Sequence, residues 1–199
     1  MNESMQDNVY HLDLMLAQKA AGGDTAAGTR MMERLLTHVL RTVSYLTGYG
    51  SDAEDLAQQA FIQILRSAGS FRGQTRLEYW ADRIALRVVL KYWEKKKRRS
   101  RINEATWNPP VDRIPADSEA DAGRIRRRLG ELLMELSPGR RAVVVLHHVQ
   151  GYNLKEISIM TDSPLETVRD RLKKGRKLLR KYILADPVLK EWIEAGGLR

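Results

Sequence analysis

Apolar residues recur three or four positions apart along almost the whole chain, the spacing that places side chains on one face of an α-helix. Strand signals are absent, and the one β-branched run, residues 143–145, lies inside a longer helical pattern. The predicted helices cover residues 11–21, 25–47, 51–68, 77 onward into the 90s, 122–136, 137–149, 154–160 and 164–183. The predicted apolar stripe of the first helix is Leu12, Leu16 and Ala20, and that of the second is Met31, Leu35, Val39, Val43 and Leu46. These elements predict an all-α fold.

Residues 51–68 form the clearest amphipathic helix. Ser51 and Glu54 have the spacing of a capping box, in which two side chains satisfy backbone N–H groups at a helix start. The predicted core stripe comprises Ala53, Leu56, Ala57, Ala60, Phe61, Ile64 and Leu65. The opposite face comprises Asp55, Gln58, Gln59, Gln63 and Arg66. Because solvated helix faces usually mix lysine and glutamate, this amide-rich face favours a protein-docking surface over a merely solvated one.

The helix that begins near Leu77 runs into a basic strip at residues 91–101. Trp80, Ile84, Val88 and Tyr92 have the spacing of its core stripe. The aromatic residues among the arginines and lysines here are Phe71, Tyr79, Trp80, Tyr92 and Trp93. Rings beside cations suit a single-stranded nucleic acid, whose bases stack while its phosphates follow the charge. Core packing is the competing explanation and is favoured for Trp80, although one ring can serve both roles.

Residues 153–183 are predicted to form two helices joined by a tight turn. Asn153 and Glu156 match a capping box, and Ser163 with Glu166 matches a second one, with Pro164 first in the helix. The second helix directs Leu165, Val168, Leu172 and Leu179 to the core, and its opposite face carries Glu166, Thr167, Asp170, Lys173, Lys174 and Lys177. This pattern is typical of a helix-turn-helix that reads a DNA major groove. An ordinary helical hairpin with a solvated lysine face is the alternative.

Residues 103–121 contain three prolines and many acidic residues, which is typical of a linker. Two domains are therefore predicted, at residues 8–102 and 122–185, with a tail at residues 186–199. The tail is interpreted either as a short partner-binding helix or as a frayed end.

Charge is concentrated in two strips. The 199-residue chain has a formal net charge of +9, yet residues 91–101 carry +6 and residues 169–181 carry +7, which leaves −4 for the rest. Two dense strips on an acidic remainder indicate two contacts with a polyanion. The chain has no cysteine, a polar and acidic N-terminal segment, and no apolar run of the ~20 residues that span a bilayer. We therefore expect a soluble, cytoplasmic protein.

An enzyme is not expected, and neither a metal nor another cofactor is. His147 and His148 are adjacent, so on a helix they point about 100° apart and do not chelate one ion together. Phosphate-loop, nucleophile-elbow and zinc-protease motifs are absent. A stronger competing hypothesis is a helix-turn-helix regulator that binds duplex DNA without polymerase, but it leaves the amide-rich helix and the aromatic-basic segment unexplained.

Four segments, in order, resemble the extracytoplasmic-function group of bacterial sigma factors in the sigma-70 family: SDAEDLAQQAF, FRGQTRLEYWADRIA, ELSPGRRAVVVLHHVQGYNLKEIS and SPLETVRDRLKKGRKLLR. The resemblance covers nearly everything except the linker and both ends. It implies two helical sigma domains, the first docking on polymerase and melting the minus-ten element, the second reading the minus-thirty-five element. The implied partners are RNA polymerase core, through its β′ coiled coil and β flap, and promoter DNA, with an anti-sigma factor as a further candidate.

The resemblance also implies site residues. The polymerase-binding set is Asp52, Asp55, Gln58, Gln59 and Gln63. The DNA-binding set of the first domain is Tyr79, Trp80, Arg83, Arg87, Lys91, Lys95, Lys96, Lys97 and Arg98. The DNA-binding set of the second domain is Ser163, Glu166, Thr167, Arg169, Asp170, Lys173, Lys174 and Lys177. Two positions depart from the family pattern: Arg87 where asparagine is frequent, and Asp170 where a small residue is usual. Promoter preference is therefore not transferred from the family.

Overall fold

The computed structural model describes residues 3–102 and 120–194, with side chains described at 9–98 and 123–194. Within these residues every regular element is helical, which confirms the all-α prediction. No helix among them is both long enough and apolar enough to cross a membrane. Most of the predicted linker lies outside the described residues, as does the side chain of Arg99 at the end of the first basic strip.

The helices are α1 (Glu3–Ala21), α2 (Thr25–Thr47), α3 (Ser51–Ser67), α4 (Leu77–Ile102), α5 (Ala120–Met134), α6 (Pro138–His148), α7 (Leu154–Met160), α8 (Leu165–Ala185) and α9 (Pro187–Glu194), with a single 3₁₀ turn at Ala68–Ser70. The prediction for α2 is confirmed at both ends, where Gly23 and Gly48 adopt positive φ angles in the flanking turns. Residues 187–194 of the tail are helical, and Leu189 buries its side chain.

The chain forms two compact units, one comprising residues 1–43 and 54–95, the other residues 44–53 and 96–199. In the first unit the predicted stripe of α2 is confirmed, since Met31, Leu35, Val39 and Val43 are all fully buried. These side chains form a continuous buried stripe along α2.

Three predictions about core positions are wrong. Leu65 is 38% exposed, because it lies at the edge of the buried stripe of α3. Leu12 of α1 is 58% exposed, and Asp13 and Ala17 face the core in its place. In α4 the fully buried apolar residues are Leu77, Ala81, Ala85, Leu86 and Val89, so the stripe is rotated by about one position. Trp80, Ile84, Val88 and Tyr92 are only half-buried at its border.

Two polar clusters join the helices of the first unit. Asp13 pairs with Arg34, which also binds Glu78 at 3.2 Å. Burial raises the pKa of Asp13, and the arginine partly offsets that effect. Asp82, fully buried in α4, lies 2.7 Å from Nε2 of His38 and accepts a 2.8 Å hydrogen bond from the Thr42 hydroxyl. The partners are distant in sequence, so the periodicity did not predict either cluster.

In the second unit, α6 packs closely against α8. A Cβ atom at Gly175 of α8 would lie 2.7 Å from Cγ2 of Val144, so only glycine fits at this helix crossing. Arg141 is 1% exposed and donates hydrogen bonds of 2.9–3.0 Å to the carbonyls of Leu133, Met134 and Leu136. Leu133 and Met134 are the last residues of α5, and Leu136 follows two residues later, so the buried guanidinium donates to carbonyls at the end of this helix.

Candidate polymerase and promoter interfaces

The predicted docking face of α3 is exposed. Asp55, Gln58, Gln59 and Gln63 all face solvent, because the buried stripe occupies the opposite side of the helix. Asp52 is also exposed, and its carboxylate lies 3.5 Å from the Lys96 ammonium.

An apolar residue that the sequence analysis missed lies on the same face. Ile62 is 49% exposed, although its chemistry would favour the core. It follows Gln58 by four residues and Gln59 by three, so helical geometry places it among these amides. Leu65 lies next to it, and an apolar centre with a polar surround is the usual composition of a protein-docking surface. The signal in the sequence is an isoleucine outside the buried stripe of an otherwise regular pattern.

A groove of about 690 Å³ separates α3 from α4. Its α4 wall carries Arg87, Lys91 and Lys95 from the predicted DNA-binding set. Its α3 wall carries Gln59 and Gln63, which were assigned to polymerase binding. The structure therefore brings together side chains that the sequence analysis assigned to two different partners.

The aromatic residues of this region differ in exposure. Tyr79 is only 7% exposed, so nearly all of its ring is buried, and its contact with DNA stays a prediction. Trp80 is half-buried, with its ring centroid 5.5 Å from that of the buried Phe71. One ring can thus pack on the core and still leave part of itself exposed. Arg83 is half-buried one turn further along the helix.

The first basic strip continues along α4 beyond the groove. Lys97 and Arg98 are exposed, as Lys95 is, whereas Lys96 is half-buried beside Asp52. Consecutive helical residues point about 100° apart, so these side chains surround the helix. They cannot all enter one groove of DNA, and phosphates are the contacts that such a distribution suits.

The helix-turn-helix is present at α7 and α8. The first capping box is confirmed: the Asn153 side chain accepts from the backbone N–H of Lys155 and of Glu156, each at 3.0 Å, and Glu156 accepts from the N–H of Asn153 at 2.8 Å. Asp162 has a φ of 46°, the left-handed conformation expected in the turn.

The second predicted capping box is wrong. Pro164 occupies the N-cap position of α8 without a side-chain hydrogen bond to the helix, so Ser163 stands one position too early to cap it. The Ser163 hydroxyl instead donates to the carbonyl of Thr161 at 3.1 Å and accepts from Arg171 at 3.0 Å. Glu166 pairs with Arg169 one turn along the helix.

The outer face of α8 is exposed as predicted. Glu166, Asp170, Lys173, Lys174 and Lys177 all face solvent, and Thr167 is half-buried. The Asp170 carboxylate lies 2.9 Å from the ammonium of Lys174, one turn away. Asp170 is therefore paired on the helix surface here, and an exposed pair of this kind contributes only a few tenths of a kcal/mol.

Arg169, Lys173 and Lys177 also border an apolar groove of about 870 Å³. Leu184 and Ile193 contribute to its apolar lining, so α9 supplies part of the wall. Five Arg and Lys residues line this groove, and no carboxylate does. Both polar and apolar contacts are available here beside the recognition helix.

The histidine pair has a structural arrangement. The rings of His147 and His148 lie 4.7 Å apart and nearly perpendicular, and Nδ1 of His147 is 2.9 Å from the carbonyl oxygen of Tyr152. Burial lowers the pKa of His148, and so do the nearby His147 and Arg176. Among the described residues no three His, Asp or Glu side chains are grouped as metal ligands would be.

Two models of the sigma-70 family match the chain, Sigma-70 region 2 at residues 31–99 and Sigma-70 region 4 at residues 126–179. The ECF RNA polymerase sigma factor SigE of Mycolicibacterium smegmatis is 34% identical over 171 residues, which cover 82% of this chain and 65% of that protein. The ECF RNA polymerase sigma-E factor of Escherichia coli K12 is 27% identical over 90% of this chain and 95% of its own length.

Two solved structures share the fold. The sigma factor RpoE from Bartonella quintana, in complex with the anti-sigma factor NepR, superposes with a TM-score of 0.67 at 18% identity over 79% of this chain and 97% of that chain. CnrH, in complex with the cytosolic domain of CnrY, has a TM-score of 0.62 at 20% identity over 87% and 98%. The two sigma-70 regions, together with the sequence similarity to the two ECF sigma factors, show that the chain belongs to the extracytoplasmic-function group of the sigma-70 family, the alternative sigma factors that direct RNA polymerase core to promoters.

Proposed function

We propose that this chain binds RNA polymerase core through the exposed face of α3 and directs it to promoters that α4 and α8 recognise. The observation that carries the proposal is the combination, in one chain, of a mixed apolar and amide docking face with a helix-turn-helix. A regulator that acts on duplex DNA alone needs the second feature and has no use for the first.

Polymerase docking is assigned to residues 51–65 of α3. Asp55 and Gln58 supply hydrogen-bonding groups, and Ile62 and Leu65 supply apolar surface that a partner helix would bury. By resemblance the partner is the β′ coiled coil. The β flap is a second polymerase element, and the apolar groove between α8 and α9 is the surface of the second unit that suits it.

Promoter recognition is assigned to two segments of the chain, one in α4 and one at the start of α8. The cations of α4 hold the melted strand near the minus-ten element, and residues 163–177 enter the major groove at the minus-thirty-five element. The predicted linker, residues 103–121, joins the two domains at 8–102 and 122–185. The work of this chain is binding rather than catalysis, in keeping with a family of non-catalytic initiation factors.

An anti-sigma factor is a candidate partner, because RpoE, whose fold this chain shares, was solved with one. The same exposed face of α3 would then be available to either polymerase or an inhibitor. Competition between the two for the free chain is the simplest form of regulation that such a surface supports.

The test is run-off transcription with purified core polymerase on genomic fragments, together with gel shifts on any promoter found. We expect transcripts only when this chain is added, and tight duplex binding only when core is present. Tight, sequence-specific duplex binding without core would instead identify a regulator. The matched variants are Asp55→Ala with Gln58→Ala, which should weaken core binding, and Arg72→Ala with Glu94→Ala, two exposed residues outside α3 that should not.

A further inference from the structure

We infer that Asp82, with Glu78 one turn earlier, is a positioning residue that selects one of two rotational settings of α4 about its own axis, and so decides where the cations of this helix point. This inference rests on the proposed function, since it names what holds the promoter-recognising helix in place. Asp82 is fully buried, so it acts through the helix and not on DNA.

Helix α4 has two candidate core faces, one residue position apart. The first is the apolar stripe that periodicity predicts, Trp80, Ile84, Val88 and Tyr92, and the second is the face that the structure buries, which includes Ala81, Ala85 and Val89. Adjacent helical positions differ by about 100°, so exchanging the two faces is a rotation of about 100° around the helix axis. Two of the buried residues are alanines, whereas the other stripe carries two aromatic rings. Apolar area alone therefore does not account for the setting that the structure adopts.

Polar contacts with α2 account for it. Asp82 lies 2.7 Å from Nε2 of His38 and accepts a 2.8 Å hydrogen bond from the Thr42 hydroxyl. One turn earlier, Glu78 binds Arg34 at 3.2 Å. Hydrogen bonds are directional, and a rotation of about 100° would move an atom about 6 Å from the helix axis by roughly 9 Å, far beyond the reach of these bonds. The contacts with α2 are therefore compatible with the observed setting and not with the other one.

A buried polar pair is better suited to selecting a packing arrangement than to stabilising it. Replacing such a pair with well-packed apolar residues is often neutral for stability or raises it, because burial of polar groups is costly. The same replacement removes the directional contacts that distinguish one arrangement from another. Selection and stability can therefore be separated by experiment for the pair of Asp82 and His38.

The selected setting turns the cations of α4 away from the core. Arg87, Lys91 and Lys95 lie about 140–180° around the helix axis from Asp82. All three line the groove between α3 and α4, as Ile84 does. In the other setting Ile84 would face the core, and the cations would turn through the same angle. The acidic residues on the core side of α4 thus determine the direction of its basic side.

The experiment removes the polarity of the pair but not its volume. His38→Leu with Asp82→Val is the apolar variant, and Asp82→Asn is the conservative one, since an amide can still accept from Thr42 and contact His38. Thr42 keeps another acceptor in both variants, the His38 carbonyl oxygen at 3.1 Å. Glu33→Val with Thr37→Leu, two exposed residues of α2, is the matched control.

Three quantities are measured on each full-length chain. Urea unfolding gives the stability. Double electron–electron resonance between spin labels on Arg30→Cys of α2 and Glu94→Cys of α4 gives the setting of α4, and labelling is confined to these sites because the chain has no cysteine of its own. Permanganate reactivity of thymines near the minus-ten element, with promoter saturated by holoenzyme, gives promoter opening.

We expect the apolar variant to unfold at the same urea concentration as the unaltered chain or at a higher one. Its label distances should broaden or divide into two populations, because both settings of α4 become accessible. Promoter opening should fall by about tenfold, the loss expected when a hydrogen bond to a charged group is misplaced. Asp82→Asn and the control should keep a single label distance and full promoter opening.

Three results would overturn the inference. The apolar variant could lose stability and promoter opening together, as a pair that only holds the fold would; it could stay stable with a single label distance; or α4 could rotate while promoter opening stays unchanged. A different result bears on the proposed function alone. If the unaltered holoenzyme opens no promoter, that function fails, and the urea and label-distance measurements then judge the setting of α4.

Discussion

The buried guanidinium of Arg141 predicts a large loss of stability when it is replaced by methionine. Methionine fills a similar volume and tolerates the same apolar surroundings, so the main change is the loss of hydrogen bonds. Arg141 donates to the carbonyls of Leu133, Met134 and Leu136 at 2.9–3.0 Å and to that of Leu46 at 2.7 Å. Burial lowers its pKa to about 10, which still leaves the side chain cationic at neutral pH.

The magnitude follows from these bonds. A hydrogen bond to a charged group contributes ~1.5–3 kcal/mol, and a buried carbonyl left without a donor costs ~1–3 kcal/mol. Four carbonyls would give a larger sum, but the Leu133 carbonyl keeps the hydrogen bond that it accepts from the N–H of Leu136. We therefore expect Arg141→Met to lower the free energy of unfolding by about 3–5 kcal/mol, a large share of the ~5–15 kcal/mol of a typical protein.

Urea unfolding followed by circular dichroism measures the loss, and amide hydrogen exchange in α5 and α6 locates it. Arg140→Met is the matched control, since Arg140 is half-buried at the neighbouring position and should lose less than about 1 kcal/mol. A loss below about 1 kcal/mol for Arg141→Met, with exchange in α5 unchanged, would refute the claim that this side chain holds the end of α5.

Three further predictions concern α9, the basic strip and the recognition helix. Asp186 accepts a hydrogen bond from the N–H of Leu189 at 3.0 Å and pairs with Arg128. Burial alone would raise the pKa of Asp186, but these bonds lower it below its ordinary value. Asp186→Ala should therefore lower the free energy of unfolding by about 1–3 kcal/mol at neutral pH. The difference from the unaltered chain should vanish as pH falls through the depressed pKa of Asp186. A constant difference in urea titrations down to acid pH would contradict this. Replacing Lys97 and Arg98 with alanine should weaken promoter binding for all sequences alike and flatten the salt slope by ~0.9 per lost phosphate contact, and a changed base preference would contradict it. Asp170→Ser is assayed on a promoter library randomised at the minus-thirty-five element. If the Asp170 carboxylate binds the amines of cytosine or adenine, the variant should lose base preference at one or two positions. An unchanged preference would leave the surface pair with Lys174 as the role of Asp170.

Local signals predicted the helices well because the chain marks their ends strongly. Glycine turns bound α2, and the Asn153 capping box fixes the start of α7, so neither needed information from distant residues. The box at Ser163 was mispredicted because Ser-Pro-x-Glu has the right spacing but Pro164 takes the cap position. Ser163 accepts a hydrogen bond from Arg171, eight residues away, and the local pattern does not record that contact.

Side-chain burial was harder to predict than helix position. A periodic stripe gives the apolar side of a helix within one or two positions, and Leu65 and the stripe of α4 fall within that error. The burial of Asp82 could not be predicted from periodicity, because its partner His38 lies 44 positions earlier in the chain. The same limit applies to the α3–α4 groove: the sequence identified both of its walls, but only packing shows that they face each other.

Gly175 separates what can vary in the recognition helix from what cannot. With a Cβ this position would collide with Val144, although glycine inside a helix costs about 1 kcal/mol relative to alanine. The close approach of α8 to α6 therefore depends on the absence of a side chain at position 175, whereas the outward residues lie on the opposite face of α8. New promoter preferences can arise by exchanging the outward residues while the packing of α8 on α6 stays unchanged. A change at position 175 would instead move every outward residue at once.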